Sequence, residues 1–200
     1  MTQIISITGL DGCGKSTQAK LLAEKLPESR IVSVWDIIQH PEFQKWSIYQ
    51  QAPKVENYVM QLHPLSRSLF IFHAFNEAYQ KANISQAEYL IFDGNWYKYW
   101  AIEQAMGAPE NLGKFLQTQY KQPDFSFYLE LEIDDIVQRK QEISVYEGGF
   151  NEQKINRFKQ IQSQAKNILE NLLPAGTHIL DARKPPMQLH REILEYINKN

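Results

Sequence analysis

Nine residues near the front of the chain, Gly9-Leu10-Asp11-Gly12-Cys13-Gly14-Lys15-Ser16-Thr17, have types and spacing that suit phosphate chemistry. Gly9, Gly12 and Gly14 let a backbone turn tightly and bring its N–H groups up to phosphate oxygens. Lys15 follows at the position from which an ammonium reaches β- and γ-phosphates, and Ser16 offers a hydroxyl to Mg²⁺.

The flanking elements supply the context that such a loop needs. Ile4-Ile5-Ser6-Ile7-Thr8 reads as a buried strand, and the residues from Gln18 to Leu26 repeat their apolar positions at helical spacing. The positive end of that helix adds to the cradle. Strand, loop and helix together imply a site for a nucleoside triphosphate.

Composition narrows the class. The chain has 200 residues, 43% of them hydrophobic, with 21 basic against 23 acidic side chains. That length suits one domain, 1–200, with a sizeable core, and a near-neutral balance carries no signal for nucleic acid. No apolar run is long enough to span a bilayer, and the first strand begins without a signal core, so a cytoplasmic location is expected. The single cysteine, Cys13, excludes an intrachain disulfide. It reads either as a small filler of the loop or as a thiol activated by Lys15 and the helix N-terminus.

Further along, Arg30 to Trp35 reads as a second strand ending at Asp36. Short helices or loops follow from Phe43 to Met60. A long helix runs from Pro64 to about Ala82, apolar nearly all round and therefore expected to be buried. Tyr89 to Phe92 is a strand ending at Asp93-Gly94, followed by the aromatic helix that carries Trp96, Tyr97, Lys98, Tyr99 and Trp100. Pro109 begins a helix to about Tyr120, Phe125 to Leu131 is a strand, and a helix from about Asp134 carries Arg139 and Lys140. Residues 141–150 are polar with two glycines and read as a short mobile lid. A long amphipathic helix spans 151–172, with Ile155, Phe158, Ile161 and Ala165 on its buried face. Thr177 to Leu180, ended by Asp181, is the last strand, and 187–197 the last helix. Five strands alternating with helices argue for an α/β domain: a parallel sheet with helices on both faces.

Neither the [NT]-K-x-D guanine motif nor L-S-G-G-Q occurs. With the loop, Leu69-Phe70-Ile71-Phe72-His73-Ala74, Leu90-Ile91-Phe92-Asp93 and Pro123-Asp124-Phe125-Ser126-Phe127-Tyr128-Leu129 in this order, the chain resembles the thymidylate kinase family of P-loop nucleoside monophosphate kinases along nearly its whole length. The resemblance implies a three-layer P-loop NTPase fold with strand order 2-3-1-4-5, and transfer of the ATP γ-phosphoryl group to a small-molecule acceptor, dTMP by default. Gly9, Gly12, Cys13, Gly14, Lys15, Ser16 and Thr17 then hold the donor. Ser16 and Asp93 serve Mg²⁺, Arg139 covers the adenine and helps close the lid, and Asp181-Ala182 lie beside it. Asp11 faces the acceptor sugar, and Phe72 stacks on the acceptor base. A homodimer through helices flanking the third strand is also implied.

The chain departs from that pattern where the family places arginines around the acceptor phosphate: here stand Phe43, Asn76 and Gly94, and Gly12 replaces a loop arginine of some members. A dianion beside ATP needs cationic partners. The substitutes on offer are Lys98, the best placed, with Arg67, Lys54, His40, His63 and His73. Trp35, Phe72, Trp96, Tyr97 and Trp100 read either as core or as the walls of a reshaped acceptor pocket. Three readings stay open: a monophosphate kinase, a kinase of an uncharged hydroxyl such as a nucleoside, and a nucleotide-binding protein without transfer.

Overall fold

The structure, a computed structural model, describes residues 2–39, 52–84, 86–150 and 153–199. Five parallel strands form one sheet: β1 (Gln3–Gly9), β2 (Ser29–Val32), β3 (Tyr89–Asp93), β4 (Phe125–Glu130) and β5 (His178–Asp181), in the order β2-β3-β1-β4-β5. The helices are α1 (Lys15–Ala23), α2 (Ala52–Gln61), α3 (Pro64–Ile84), α4 (Trp96–Ala105), α5 (Glu110–Gln117), α6 (Ile133–Arg139), α7 (Val145–Gly148), α8 (Lys154–Glu170) and α9 (Pro186–Lys199).

Alternation along the strands divides the core into two layers, as a sheet covered on both faces requires. Ile4, Leu90, Phe92 and Tyr128 point to the face covered by α3, α4 and α8. Ile5, Ile7, Ile91, Phe127 and Leu129 point to the face covered by α1 and α9. The sheet therefore fixes β1 at its centre, and the phosphate loop leaves from the carboxyl end of that strand, where open α/β sheets bind ligands. No helix among the described residues is long and apolar enough to cross a membrane.

Three local expectations change, and the segment read as a lid has a defined fold. The second strand stops at Val32, and Val34–Gln39 coils into a 3-10 helix, its start held by Ser33 N donating to Asp36 Oδ2 at 3.1 Å. Helix α3 is not buried all round: Leu65 and Leu69 are 40% and 54% exposed on its outer face. Ile155 lies in the first turn of α8 beyond the edge of the core and is exposed, while Phe158, Ile161, Gln162 and Ala165 face inward. Residues 141–150 fold onto the domain, with Ile143 and Tyr146 buried. Ser144 caps α7 reciprocally with Glu147, which satisfies the donors that a free loop would leave to water.

Candidate functional site

At Gly9 the loop has φ +144°, and a Cβ there would lie 2.6 Å from both Leu129 O and Cys13 Sγ, so only glycine fits. A Cβ at Gly12 would meet Ile136 Cγ2 at 3.0 Å and the Lys140 methylenes at 3.3 Å. The position where some relatives carry an arginine is thus walled by the stem of Lys140. Gly14, also at positive φ, opens α1, and Ser16 and Thr17 stand exposed in its first turn.

Lys15 is buried. Its ammonium donates to Leu10 O at 2.7 Å and lies 3.7 Å from Asp11 Oδ1. Burial works against its charge, but the facing Cys13, Asp11, Asp93 and Glu147 outweigh that and raise its pKa. Burial likewise pushes the Cys13 thiol up, more than Lys15 pulls it down, which leaves the filler reading and removes the activated thiol.

Asp11 is gripped from three sides. Lys98 Nζ is 2.7 Å from its Oδ1, and Gln162 of α8 donates to Oδ2 at 3.3 Å while accepting from the Asp11 backbone N–H at 3.2 Å. Burial alone would raise its pKa; Lys98 first, then Lys15 and Lys140, bring it well below the usual carboxylate range. Lys98 reaches this point because the first turn of α4 is pinned. Asn95 Oδ1 accepts from Trp96 N at 2.7 Å, and the Tyr97 hydroxyl meets Ser6 Oγ of β1 at 2.6 Å. The Lys98 ammonium also sits 4.5 Å from the centre of the Tyr99 ring.

On the donor side a cleft of about 350 Å³ opens between α1, α6 and the loop after β5. Gly14, Thr17, Gln18, Arg139, Arg183 and Lys184 line it. Arg139 donates to Ala182 O at 2.9 Å, which ties α6 to that loop. The Asp181 carboxylate is engaged by Arg183 through two bonds of 2.9 Å, and this pairing lowers its pKa to about 2. The loop tail Arg183-Lys184-Pro185-Pro186, together with Gln18, Lys140 and Gln162, is what sequence reasoning passed over. Its only signal is a basic and proline-rich step directly after a strand end.

The acceptor candidates divide. Asp93 ends β3 half-buried, facing Lys15. Phe72 is only 5% exposed and lies 6.3 Å from Trp100, centre to centre. Asn76 stands half-buried one turn further along α3. Trp35 is half-buried, its ring set edge-on to Tyr146 at 5.8 Å. Trp96, Tyr97 and Trp100 take the core reading: they are 2%, 1% and 2% exposed, and Trp96 packs on Tyr97 and Tyr120.

Among the substitute cations, Arg67 is buried and committed to Glu103 and to Met106 O, and His63 and His73 are exposed. His40, Phe43 and the Lys54 side chain lie outside the described residues. Lys98 is left beside the loop. At Gly94, with φ +81°, a Cβ would come within 3.2 Å of the Tyr99 hydroxyl, so an arginine there would be strained and would need Tyr99 to shift.

Comparison with known proteins follows the same lines. The family profile described as thymidylate kinase matches residues 7–193. A probable thymidylate kinase 1 of Saccharolobus solfataricus is 23% identical over 208 residues, covering 100% of this chain and 99% of its own length. A thymidylate kinase of Leptospira borgpetersenii is 24% identical, covering 96% and 91%. Among solved structures, thymidylate kinase from Candida albicans superposes with a TM-score of 0.72 at 22% identity, over 100% of this chain and 92% of that one. Deoxyadenosine kinase from M. mycoides gives 0.66 at 14% identity, over 99% and 100%.

Proposed function

We propose that this chain, which belongs to the thymidylate kinase family of ATP-dependent phosphotransferases, carries the γ-phosphoryl group of ATP to dTMP, with Lys15, Lys98 and Asp93 around the point of transfer. The observation that carries the assignment of residues is the Lys98–Asp11 ion pair, which sets an acceptor-side cation directly across from the phosphate loop.

In this reading the loop amides from Gly9 to Gly14, with Lys15 and Thr17, hold the donor phosphates, and Arg139, Asp181 and Ala182 border the base in the donor cleft. Phosphoryl transfer asks a protein mainly for positioning and charge neutralisation. Ser16 and Asp93 supply hard oxygens, an exposed hydroxyl on α1 and a carboxylate facing Lys15, and such a short protein set suits Mg²⁺, which keeps its waters and takes substrate phosphates. Mg²⁺ bound there neutralises charge on the donor phosphates. Phe72, Asn76 and Trp35 border the acceptor, and Lys98 steadies its phosphate. The exposed Leu65 and Leu69 of α3 support a homodimer through that helix. ADP release measured over a panel of nucleoside monophosphates tests the reaction; no turnover with any of them sinks it.

A second reading, an uncharged hydroxyl as acceptor, is favoured by one observation. Lys98 is already paired with Asp11, and Asn76 and Gly94 stand where the family resemblance puts arginines, which suits an acceptor without a phosphate. Turnover of thymidine in the same assay, without turnover of dTMP, selects this reading.

A further inference from the structure

Glu103 of α4 is fully buried, and the proposed chemistry makes no use of it. Its Oε2 accepts from Arg67 Nε at 2.9 Å and from Ser68 Oγ at 3.0 Å, both on α3. Its Oε1 accepts from the Tyr146 hydroxyl of α7 at 2.9 Å. Burial, and Glu103 itself, push the Tyr146 pKa well up, so the phenol is a neutral donor throughout the working range. Ser68 and Phe72 are one turn apart on α3, and Trp100 and Glu103 are three apart on α4, so this carboxylate lies at the edge of the Phe72–Trp100 pair.

The other side of α7 reaches the donor half. Glu147 Oε1 is 2.6 Å from Lys140 Nζ, and the Lys140 stem lies against Gly12 of the phosphate loop. Glu147 also bears electrostatically on Lys15, and Lys140 on Asp11. One four-residue helix thus touches α4 through Tyr146 and, through its neighbour Glu147, the Lys140 side chain that lies against the phosphate loop. Removing α7 would strip Glu103 Oε1 of its donor, and an unpaired oxygen on a buried carboxylate is costly.

We propose that Tyr146 is a positioning residue: its hydrogen bond to Glu103 seats α7 between the acceptor helices and the phosphate loop and thereby holds Lys140 against Gly12 for transfer. The proposal rests on the kinase reading above. Its test uses the full chain as Tyr146→Phe and Tyr146→Ala, with two readouts: ATP and dTMP kinetics, and amide hydrogen exchange over residues 143–149 without substrate. Tyr146→Phe keeps the ring edge on Trp35 and loses only the bond. The expected result is a fall of about tenfold in kcat, an ATP KM within about twofold of the parent, and exchange in 143–149 faster by about tenfold or more. Parent-like kcat and exchange in Tyr146→Phe overturn the proposal. So does a loss confined to Tyr146→Ala, which would assign the seat to ring packing. If the parent enzyme transfers to no monophosphate, the reading of the reaction fails, and the exchange result alone decides the role of Tyr146.

Discussion

Lys98 Nζ stands 2.7 Å from Asp11 Oδ1, an ion pair between the first turn of α4 and the phosphate loop, both partners largely buried. The loop carboxylate, which the family resemblance turns toward the acceptor sugar, is paired here with a lysine. It is the counter-charge of the Lys98 ammonium. In the proposed reaction Lys98 would meet the acceptor phosphate as a point charge rather than as the planar fork of an arginine.

Lys98→Ala should then lower kcat/KM for dTMP by about a hundredfold while the affinity for ATP stays within a few-fold. Steady-state ADP release with each substrate varied separately, alongside calorimetric ATP binding, checks this. An equal loss on both substrates would assign Lys98 to the donor side.

Restoring the family arginine at position 94 should fail. Gly94 has φ +81°, a conformation that costs an ordinary side chain roughly 1–2 kcal/mol, and its Cβ would press on the Tyr99 hydroxyl, which donates to Asp93 O. Gly94→Arg should melt several degrees lower than the parent and show lower, not higher, activity with dTMP. A gain in activity would show that Tyr99 yields.

The sheet was legible because its strands are short β-branched or aromatic runs that end at Asp93-Gly94, at Glu130 or at Asp181, and the loop was legible because glycine spacing and a lysine are all that it needs. The rest depends on partners that are distant in sequence. Nothing local to residues 141–150 tells that Tyr146 meets Glu103, 43 positions away. Trp35 and Trp96 look alike as aromatics just past strand ends, yet Trp96 packs against Tyr120 in the core while Trp35 stays half-buried beside α7. Lys98 and an idle helical lysine are identical in sequence; only the pinned first turn of α4 separates them.

Cys13 should resist alkylation. Its thiol is buried and its pKa is raised by that burial, so little thiolate forms near neutral pH and no reagent reaches it. Iodoacetamide at pH 7.5 should leave native enzyme unlabelled and active for hours and label it at once in denaturant. Fast labelling of native protein would reopen the redox reading.

Leu69→Glu should shift the chain toward monomer if α3 is the contact between copies. The substitution sits on an exposed face and removes no core contact, so stability should change by less than about 0.5 kcal/mol. Sedimentation velocity of parent and variant at equal concentration decides it: identical coefficients would exclude this face as the interface.

The Asp11 cluster also sets an acid limb to stability. The folded Asp11 pKa lies below the unfolded value of about 4, because Lys98, Lys15 and Lys140 together outweigh burial. A depressed carboxylate contributes stability that is fully present above the unfolded pKa and is lost as pH falls toward the folded one. Parent and Asp11→Asn should therefore differ by a constant amount in unfolding free energy from pH 7 to about 5. Below pH 4 that difference should shrink, by up to about 1.4 kcal/mol for each pH unit, as protons compete with the lysines. Urea unfolding of both proteins at closely spaced pH values measures the limb directly. A difference that stays flat down to pH 3 would mean that Lys98 gains nothing from the Asp11 charge, and the ion pair would lose its place in the account of the acceptor site.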